Sequence, residues 1–191
     1  MQELFKKNPY GIYTEENFLT AGEIQQLHVL ATQYQPEIAS LNNTTVDPSI
    51  RRCNIVWLPQ NDQSLYFFKK ITAAVQNINA ELYEFQLDGI CNLQYTVYKQ
   101  ENQGHYDWHR DTIMLDDHKI RKLSVIIQLS DPAEYTGGAL LMAPNGGDQA
   151  EIVMRAGKLV VFPSWTPHCV MPVQSGTRCS LVTWISGDKF K

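Results

Sequence analysis

Two side chains of complementary chemistry stand two residues apart in the run QGHYDWHRDT: His109 and Asp111. On a strand, residues i and i+2 project to one face, so an imidazole and a carboxylate would point together. That pair supplies two ligands of a metal site, and it is also the composition of an ordinary polar surface turn. A third ligand has to decide. The chain has five histidines, His28, His105, His109, His118 and His168. His28 falls in a helical pattern, and His105 and His118 read as solvent histidines. His168 ends the run VVFPSWTPH and opens a strand-like segment, the same kind of place as His109.

Two neutral imidazoles and one carboxylate on one face of a metal form the facial triad of non-haem Fe(II) oxygenases, with positions left open for a cosubstrate and oxygen. Ten residues beyond His168 lies Arg178, across VMPVQSGT with its Gly176. This spacing fits His168 and Arg178 to two arms of an antiparallel hairpin. On the second arm Arg178, Ser180, Val182 and Trp184 share a face. Arg178 with Ser180 can hold a remote carboxylate, the guanidinium as a bidentate fork and the hydroxyl as one further donor. A structural ion-pair role for Arg178 is the plainer alternative. On the run CNLQYTVYK, Gln94, Thr96 and Tyr98 share the face expected to line a cavity, and Leu93, Tyr95 and Val97 the apolar one. Tyr98 reads equally as a core tyrosine. Alternation turns Cys169 and Cys179 away from the cavity, as packing residues.

The elements that position these groups divide the chain. Thr20-Ala21-Gly22-Glu23 is a capping box that opens a helix to about Gln33, with Ile24, Leu27 and Leu30 on one face. A second helix from about Ser64 to Tyr83 carries Leu65, Phe68, Ile71, Val75, Ile78 and Leu82 at helical spacing. A polar segment, Asn42 to Ser49, and a strand-like run, Arg52 to Leu58, lie between them; Arg51 and Arg52 read as a solvated pair, with contact to substrate as the alternative. From Ile90 on, seven short strand-like runs alternate with turn compositions such as DPAEYTGG, PNGGDQ and QSG. Helices first and strands second imply an antiparallel sandwich or barrel with helices on one face. One domain spans 1–191, a helical support over 1–89 and a β core over 90–187.

Over about residues 90–187 the chain resembles the 2-oxoglutarate- and Fe(II)-dependent dioxygenases, most closely their prolyl-4-hydroxylase-like branch. Tyr98, Gly104, the run Tyr106 to Asp111, LSVIIQLSD, Gly137-Gly138, VVFPSWTPH, Arg178 and Trp184 carry the resemblance, in order. It implies a mainly β fold with N-terminal helices, a double-stranded β-helix (jelly roll). It implies that His109, Asp111 and His168 bind Fe(II). Arg178 would pair with the distal carboxylate of 2-oxoglutarate, helped by Tyr98 or Ser180, and Trp184 would pack beside this cosubstrate. Gln128 stands where relatives often place a tyrosine that also reaches that carboxylate, which leaves the second partner open. The implied reaction consumes O2, with ascorbate as a reductant. It hydroxylates an unactivated C–H bond and releases succinate and CO2.

The substrate expected from the resemblance is a peptide or protein side chain. A free amino acid or other small molecule is the alternative, and a non-catalytic jelly-roll binding module a further one. A net charge of −4 and a pI near 5.7 argue against nucleic acid, because phosphate-backbone binding needs a broad basic surface. An AlkB-like demethylase would need an R-x-N-x-T-x-R pattern, and Arg178 to Trp184 reads RCSLVTW. Asp111 sets aside a halogenase, whose carboxylate ligand gives way to a small residue. Four scattered cysteines, Cys53, Cys91, Cys169 and Cys179, read as reduced thiols. No signal peptide or membrane span is expected, so the chain reads as cytoplasmic. Loops 36–52, 112–121 and 143–151 would set the substrate; Asp116 and Asp117 read as a solvated loop, with a substrate-covering segment as the alternative.

Overall fold

The computed structural model describes residues 8, 10–41, 45–115, 118–144 and 147–190. Asp116 and Asp117 lie outside them, as does the Cys91 side chain. The elements run β1 (Tyr13–Glu15), α1 (Ala21–Ala31), β2 (Glu37–Ile38), β3 (Arg51–Arg52), β4 (Asn54–Leu58), α2 (Leu65–Ile78) and β5 (Gly89–Lys99). Then come β6 (His105–His109), β7 (Lys119–Gln128), β8 (Tyr135–Gly137), β9 (Leu140–Met142), β10 (Ala150–Ile152), β11 (Leu159–Pro163), β12 (His168–Val170) and β13 (Val173–Asp188).

Two antiparallel sheets face each other in a jelly roll. The larger is ordered β1-β11-β7-β13-β5-β4-β2, with β8 also paired to β13; the smaller is β10-β9-β12-β6-β3. Strand alternation builds two cores. Leu123, Val125 and Ile127 of β7 join Leu93, Tyr95, Leu181 and the apolar faces of α1 and α2. Ile126 of the same strand joins Phe162, Leu140, Met142, Val170 and Tyr98 between the sheets. The helices therefore cover one face of the large sheet, and the small sheet covers the other. The expected packing of Leu93 and Tyr95 against the helices and of Tyr98 toward the inter-sheet space holds.

The helix caps follow the sequence. Thr20 Oγ1 accepts from Glu23 N, and Glu23 accepts from Thr20 N, the reciprocal pair that closes a capping box. α1 ends at Ala31, two residues before the expected Gln33. α2 ends at Ile78, and Asn79–Tyr83 continues as one π-helical turn closed by Glu84 in the left-handed region.

Glu23 also ties the helices together, accepting from Tyr66 Oη and Lys70 Nζ of α2. Burial opposes its charge, but the Lys70, Tyr66 and Thr20 donors hold its carboxyl down at about 2. A depressed folded pKa adds stability above the unfolded value near 4.5 that is lost as pH falls toward 2. Glu23→Gln should therefore cost about 1 kcal/mol at pH 7 and clearly less at pH 2, where about half of the carboxyl is protonated. Urea midpoints at the two pH values check it; an equal loss at both would contradict it.

Several strand expectations are corrected. His168 and Arg178 are not arms of one hairpin: β12 pairs with β6 and β9 in the small sheet, and β13 with β5, β7 and β8 in the large one. The chain crosses between the sheets at Met171-Pro172, because proline cannot donate to a ladder. Gly176, expected in the turn, lies inside β13 with φ +70°. β8 and β10 form where turn and loop were expected. Among the described residues, no helix is long and apolar enough to cross a membrane.

Candidate active site

His109 ends β6 and His168 begins β12, and they are opposite one another in the ladder. Asp111 lies just beyond β6, not on the strand as expected. Its N–H donates to Ser164 O at 2.9 Å, which brings the carboxylate to the same point. Asp111 Oδ1 is 3.7 Å from His109 Nε2, and Oδ2 is 3.4 Å from His168 Nε2. Ligand atoms of all three residues lie within 4.8 Å of one another, close enough to hold one metal ion.

Each ligand is aimed by a partner behind it. His109 Nδ1 lies 2.7 Å from Asp107 O, and His168 Nδ1 lies 3.0 Å from Thr166 O. Those carbonyls require the proton on Nδ1, which leaves both Nε2 lone pairs facing the cluster. Burial pushes the His109 imidazole well below its ordinary pKa, as does the His168 ring 4.1 Å away, and Asp111 offsets only part of this. The ring is thus in the neutral, ligating form. Burial raises the Asp111 carboxyl, but His168, His109, a 2.8 Å hydrogen bond from Ser124 Oγ and the Trp184 indole hold it ionised. Ser124 is in turn 3.0 Å from Ser164 Oγ.

Sequence reading missed Ser124 and Ser164. The signal was present: Ser124 alternates with Leu123 and Val125 of the helix-facing core, which puts its hydroxyl on the cavity side of β7. It also missed Tyr106, whose ring stacks on His109 at 3.5 Å with a 13° interplanar angle. The ladder pairs His168 with His109 but Val170 with Tyr106, so β6 carries one extra residue. This bulge turns Tyr106 and His109 to one side, where plain alternation would separate them.

Arg178 lies in the same cavity, on β13 of the opposite sheet, together with Tyr98, Ser180 and Trp184. It is 1% exposed, with its guanidinium 5.4 Å from the centre of the Tyr98 ring. Its Nε and Nη2 have no hydrogen-bond partner. A buried guanidinium left this way costs several kcal/mol, so the donors fit an anion arriving in the cavity. Trp184 packs 6.3 Å from Trp57. Gln128, opposite Ser180 in the ladder, donates from Nε2 to Ser130 O and Tyr135 Oη, and its Oε1 is buried without a partner.

Residues 93–186 match the model of the 2OG-Fe(II) oxygenase superfamily. Over these residues the chain is similar to the 2OG-Fe(II) oxygenase superfamily. A PKHD-type hydroxylase of Synechococcus sp. (strain CC9605) is 41% identical over 80 residues, 42% of this chain and 36% of the relative. The PKHD-type hydroxylase YbiX of Shigella sonnei is 43% identical over 63 residues, 33% of this chain and 28% of the relative. The matched segments thus span about a third of these curated relatives. A Pseudomonas putida prolyl-4-hydroxylase superposes with a TM-score of 0.75 at 24% identity, covering 91% of each chain. A Trichoplax adhaerens prolyl hydroxylase, solved with a hypoxia inducible factor peptide fragment, gives 0.78 at 21% identity, covering 92% of this chain and 83% of that one. For a 2OG-Fe(II) oxygenase, the donor set here fits the expected metal: two neutral imidazoles and one carboxylate suit Fe(II).

The remaining expectations settle by place. His28 is structural, its Nδ1 2.7 Å from Tyr95 Oη. His118 is exposed. His105 is not a free solvent histidine; its ring nitrogens lie 2.9 Å from Gln103 O and 3.2 Å from Ser49 O. Cys53, Cys169 and Cys179 are free and buried. Gly104 has no room for a side chain, since a Cβ there would meet Lys99 N at 2.8 Å and Tyr98 Cα at 2.9 Å.

Proposed function

We propose that this protein is an Fe(II)- and 2-oxoglutarate-dependent dioxygenase that hydroxylates an unactivated C–H bond of a peptide or protein side chain, in the manner of the prolyl hydroxylases it resembles. The observation that carries this reading is Arg178: two unpartnered guanidinium donors, buried in the cavity that also holds His109, Asp111 and His168. On this reading residues 1–89 support a catalytic core over 90–187.

His109, Asp111 and His168 would hold the iron through their two Nε2 atoms and a carboxylate oxygen. Bound Fe(II) with 2-oxoglutarate supplies the oxidising power, releasing succinate and CO2 as O2 is consumed. The protein's own work is positional. Arg178 receives the distal carboxylate by charge-assisted hydrogen bonds, with Ser180 and Tyr98 beside it. Trp184 walls the cosubstrate side, and its indole N–H faces Asp111. Ile126 and Val182 help to keep the cavity dry. Gln128 replaces a longer phenol and stays engaged with Tyr135, so it buttresses the Arg178 strand. The intact triad and the buried arginine favour an enzyme over a binding module.

Gly138 sets the Arg178 position. It has φ +61°, and a Cβ there would lie 3.0 Å from Arg178 Cδ, 3.1 Å from Val173 Cγ2 and 3.3 Å from Tyr135 Cε2. Gly138→Ala should raise the KM for 2-oxoglutarate about tenfold and cost about 1 kcal/mol of stability. Initial rates against 2-oxoglutarate concentration measure the first, and a KM unchanged from wild type would refute it.

The test of the function needs no substrate. Metal-free protein is titrated anaerobically with Fe(II) and 2-oxoglutarate, and the visible spectrum is recorded. A weak metal-to-ligand charge-transfer band that needs both additions is the expected result. Iron binding without such a band would overturn the cosubstrate assignment.

A further inference from the structure

Among the described residues four arginines line the cavity, Arg51, Arg110, Arg121 and Arg178, against one carboxylate, Asp111. Asp111 is committed to the metal and Arg178 to the cosubstrate. A divalent metal and a dicarboxylate cancel each other's charge, so the mouth stays strongly cationic on a chain whose net charge is −4. Such an inversion of sign in a cleft concentrates anions there.

Arg51 is the member with most to explain. Expected as half of a solvated pair, it is 9% exposed and forms part of the cavity wall. Its guanidinium lies 4.6 Å over the Tyr106 ring, and that ring stacks on His109. Nε donates to Cys53 Sγ at 3.3 Å, a weak acceptor, and Nη1 to the Ser40 carbonyl at 3.3 Å, a long bond that brings no negative charge. Among the described residues no hydrogen bond is made by Nη2. Among the described residues no carboxylate forms an ion pair with Arg51. Arg121, stacked 3.9 Å over Trp184, lines the same cavity. A buried cation is retained at a cost when nothing on the protein pairs with it, and the counter-charge then comes from a ligand.

We propose that the primary substrate carries a carboxylate close to the reacting carbon and that Arg51 receives it, one stacked ring away from the metal ligand His109. This rests on the oxygenase reading above and adds a substrate class to it. The carboxylate could belong to an acidic side chain next to the modified residue of a peptide, or to a small free acid. In either case Arg51 sets the register of the substrate over the metal and is not a second anchor for 2-oxoglutarate.

The test reads binding on an inert complex. Protein loaded with Mn(II) and 2-oxoglutarate, free of oxygen, is titrated with blocked peptides that have a central proline and Asp or Asn, or Glu or Gln, at each flanking position. A second arm uses free proline, aspartate and glutamate beside their amides. Calorimetry or quenching of the Trp57 and Trp184 fluorescence gives each Kd. At least one acid member should bind about tenfold tighter than its amide, a preference that shrinks as salt is raised. Arg51→Met should remove the preference while leaving 2-oxoglutarate affinity within about twofold of wild type. Preference in the peptide arm alone assigns the carboxylate to a peptide; preference in the free-acid arm alone assigns it to a small molecule. Equal binding of every acid and amide in wild-type protein, or binding of none, overturns the proposal even if Arg51→Met does not fold. So does a preference that survives Arg51→Met, or a loss of 2-oxoglutarate binding in that variant. If wild-type protein shows no charge-transfer band with Fe(II) and 2-oxoglutarate, the oxygenase reading itself fails, and the two failures are told apart.

Discussion

Asp111→Ala is expected to lower metal affinity by more than about 100-fold and to abolish turnover, since even partners behind the ligands of a metal site are worth about 10–100-fold. The structure explains why no neighbour can substitute. Among the described residues Asp111 is the one carboxylate lining the cavity, and its backbone N–H is fixed on Ser164 O. Its oxygens sit between two Nε2 atoms that are both acceptors, so the pair of imidazoles loses its only negative counterpart. The fold should survive, because the lost hydrogen bond is to Ser124, whose hydroxyl keeps Ser164 as partner. Metal content after dialysis, with far-UV circular dichroism as the control for folding, checks the prediction. Metal retained at wild-type stoichiometry and affinity would remove Asp111 from the site.

Arg178→Met makes the second large prediction. It removes two charge-assisted donors from the cosubstrate, worth about 3 kcal/mol together, so 2-oxoglutarate affinity should fall by about 100-fold. Fe(II) binding should be unchanged, because Arg178 is not among the ligands. The stability of the ligand-free protein should move the other way. A buried guanidinium with Nε and Nη2 unpaired is a liability that an apolar side chain of similar length does not carry. Thermal unfolding without ligand should therefore show Tm equal to or above wild type. The rise in Tm that saturating 2-oxoglutarate gives the wild-type protein should be largely absent. A variant that unfolds early and still binds 2-oxoglutarate normally would make Arg178 a structural ion-pair residue instead.

Much of the site was legible because the chemistry needs particular residue types and the strand repeat places them. Histidine spacing, the following arginine and the alternation of CNLQYTVYK pointed to side chains that share one cavity. The helices were legible from Thr20 and Glu23 and from the apolar stripe of α2. What could not be read was set by pairing between distant segments. Nothing local distinguishes a strand that turns back on its neighbour from one that crosses to another sheet, so β12 and β13 were taken for a hairpin. The bulge in β6 exists only against β12, and without it Tyr106 would face away from His109. Arg51 looks like any exposed arginine until β3 pairs with β6 and buries it beside Tyr106. Short edge strands such as β8 and β10 carry too few residues for alternation to register.

The crossing at Met171-Pro172 has a consequence for selectivity by length. All three proposed metal ligands lie on the small sheet or directly beyond its strand, whereas Arg178 projects from the large one. The separation between them is therefore fixed by the packing of two sheets, roughly 10 Å apart in such folds, and neither loop motion nor a change of rotamer can easily alter it. The sandwich works as a gauge: keto acids one carbon shorter or longer than 2-oxoglutarate would have to leave one end ungripped, while changes in the surface loops would leave this calibration untouched.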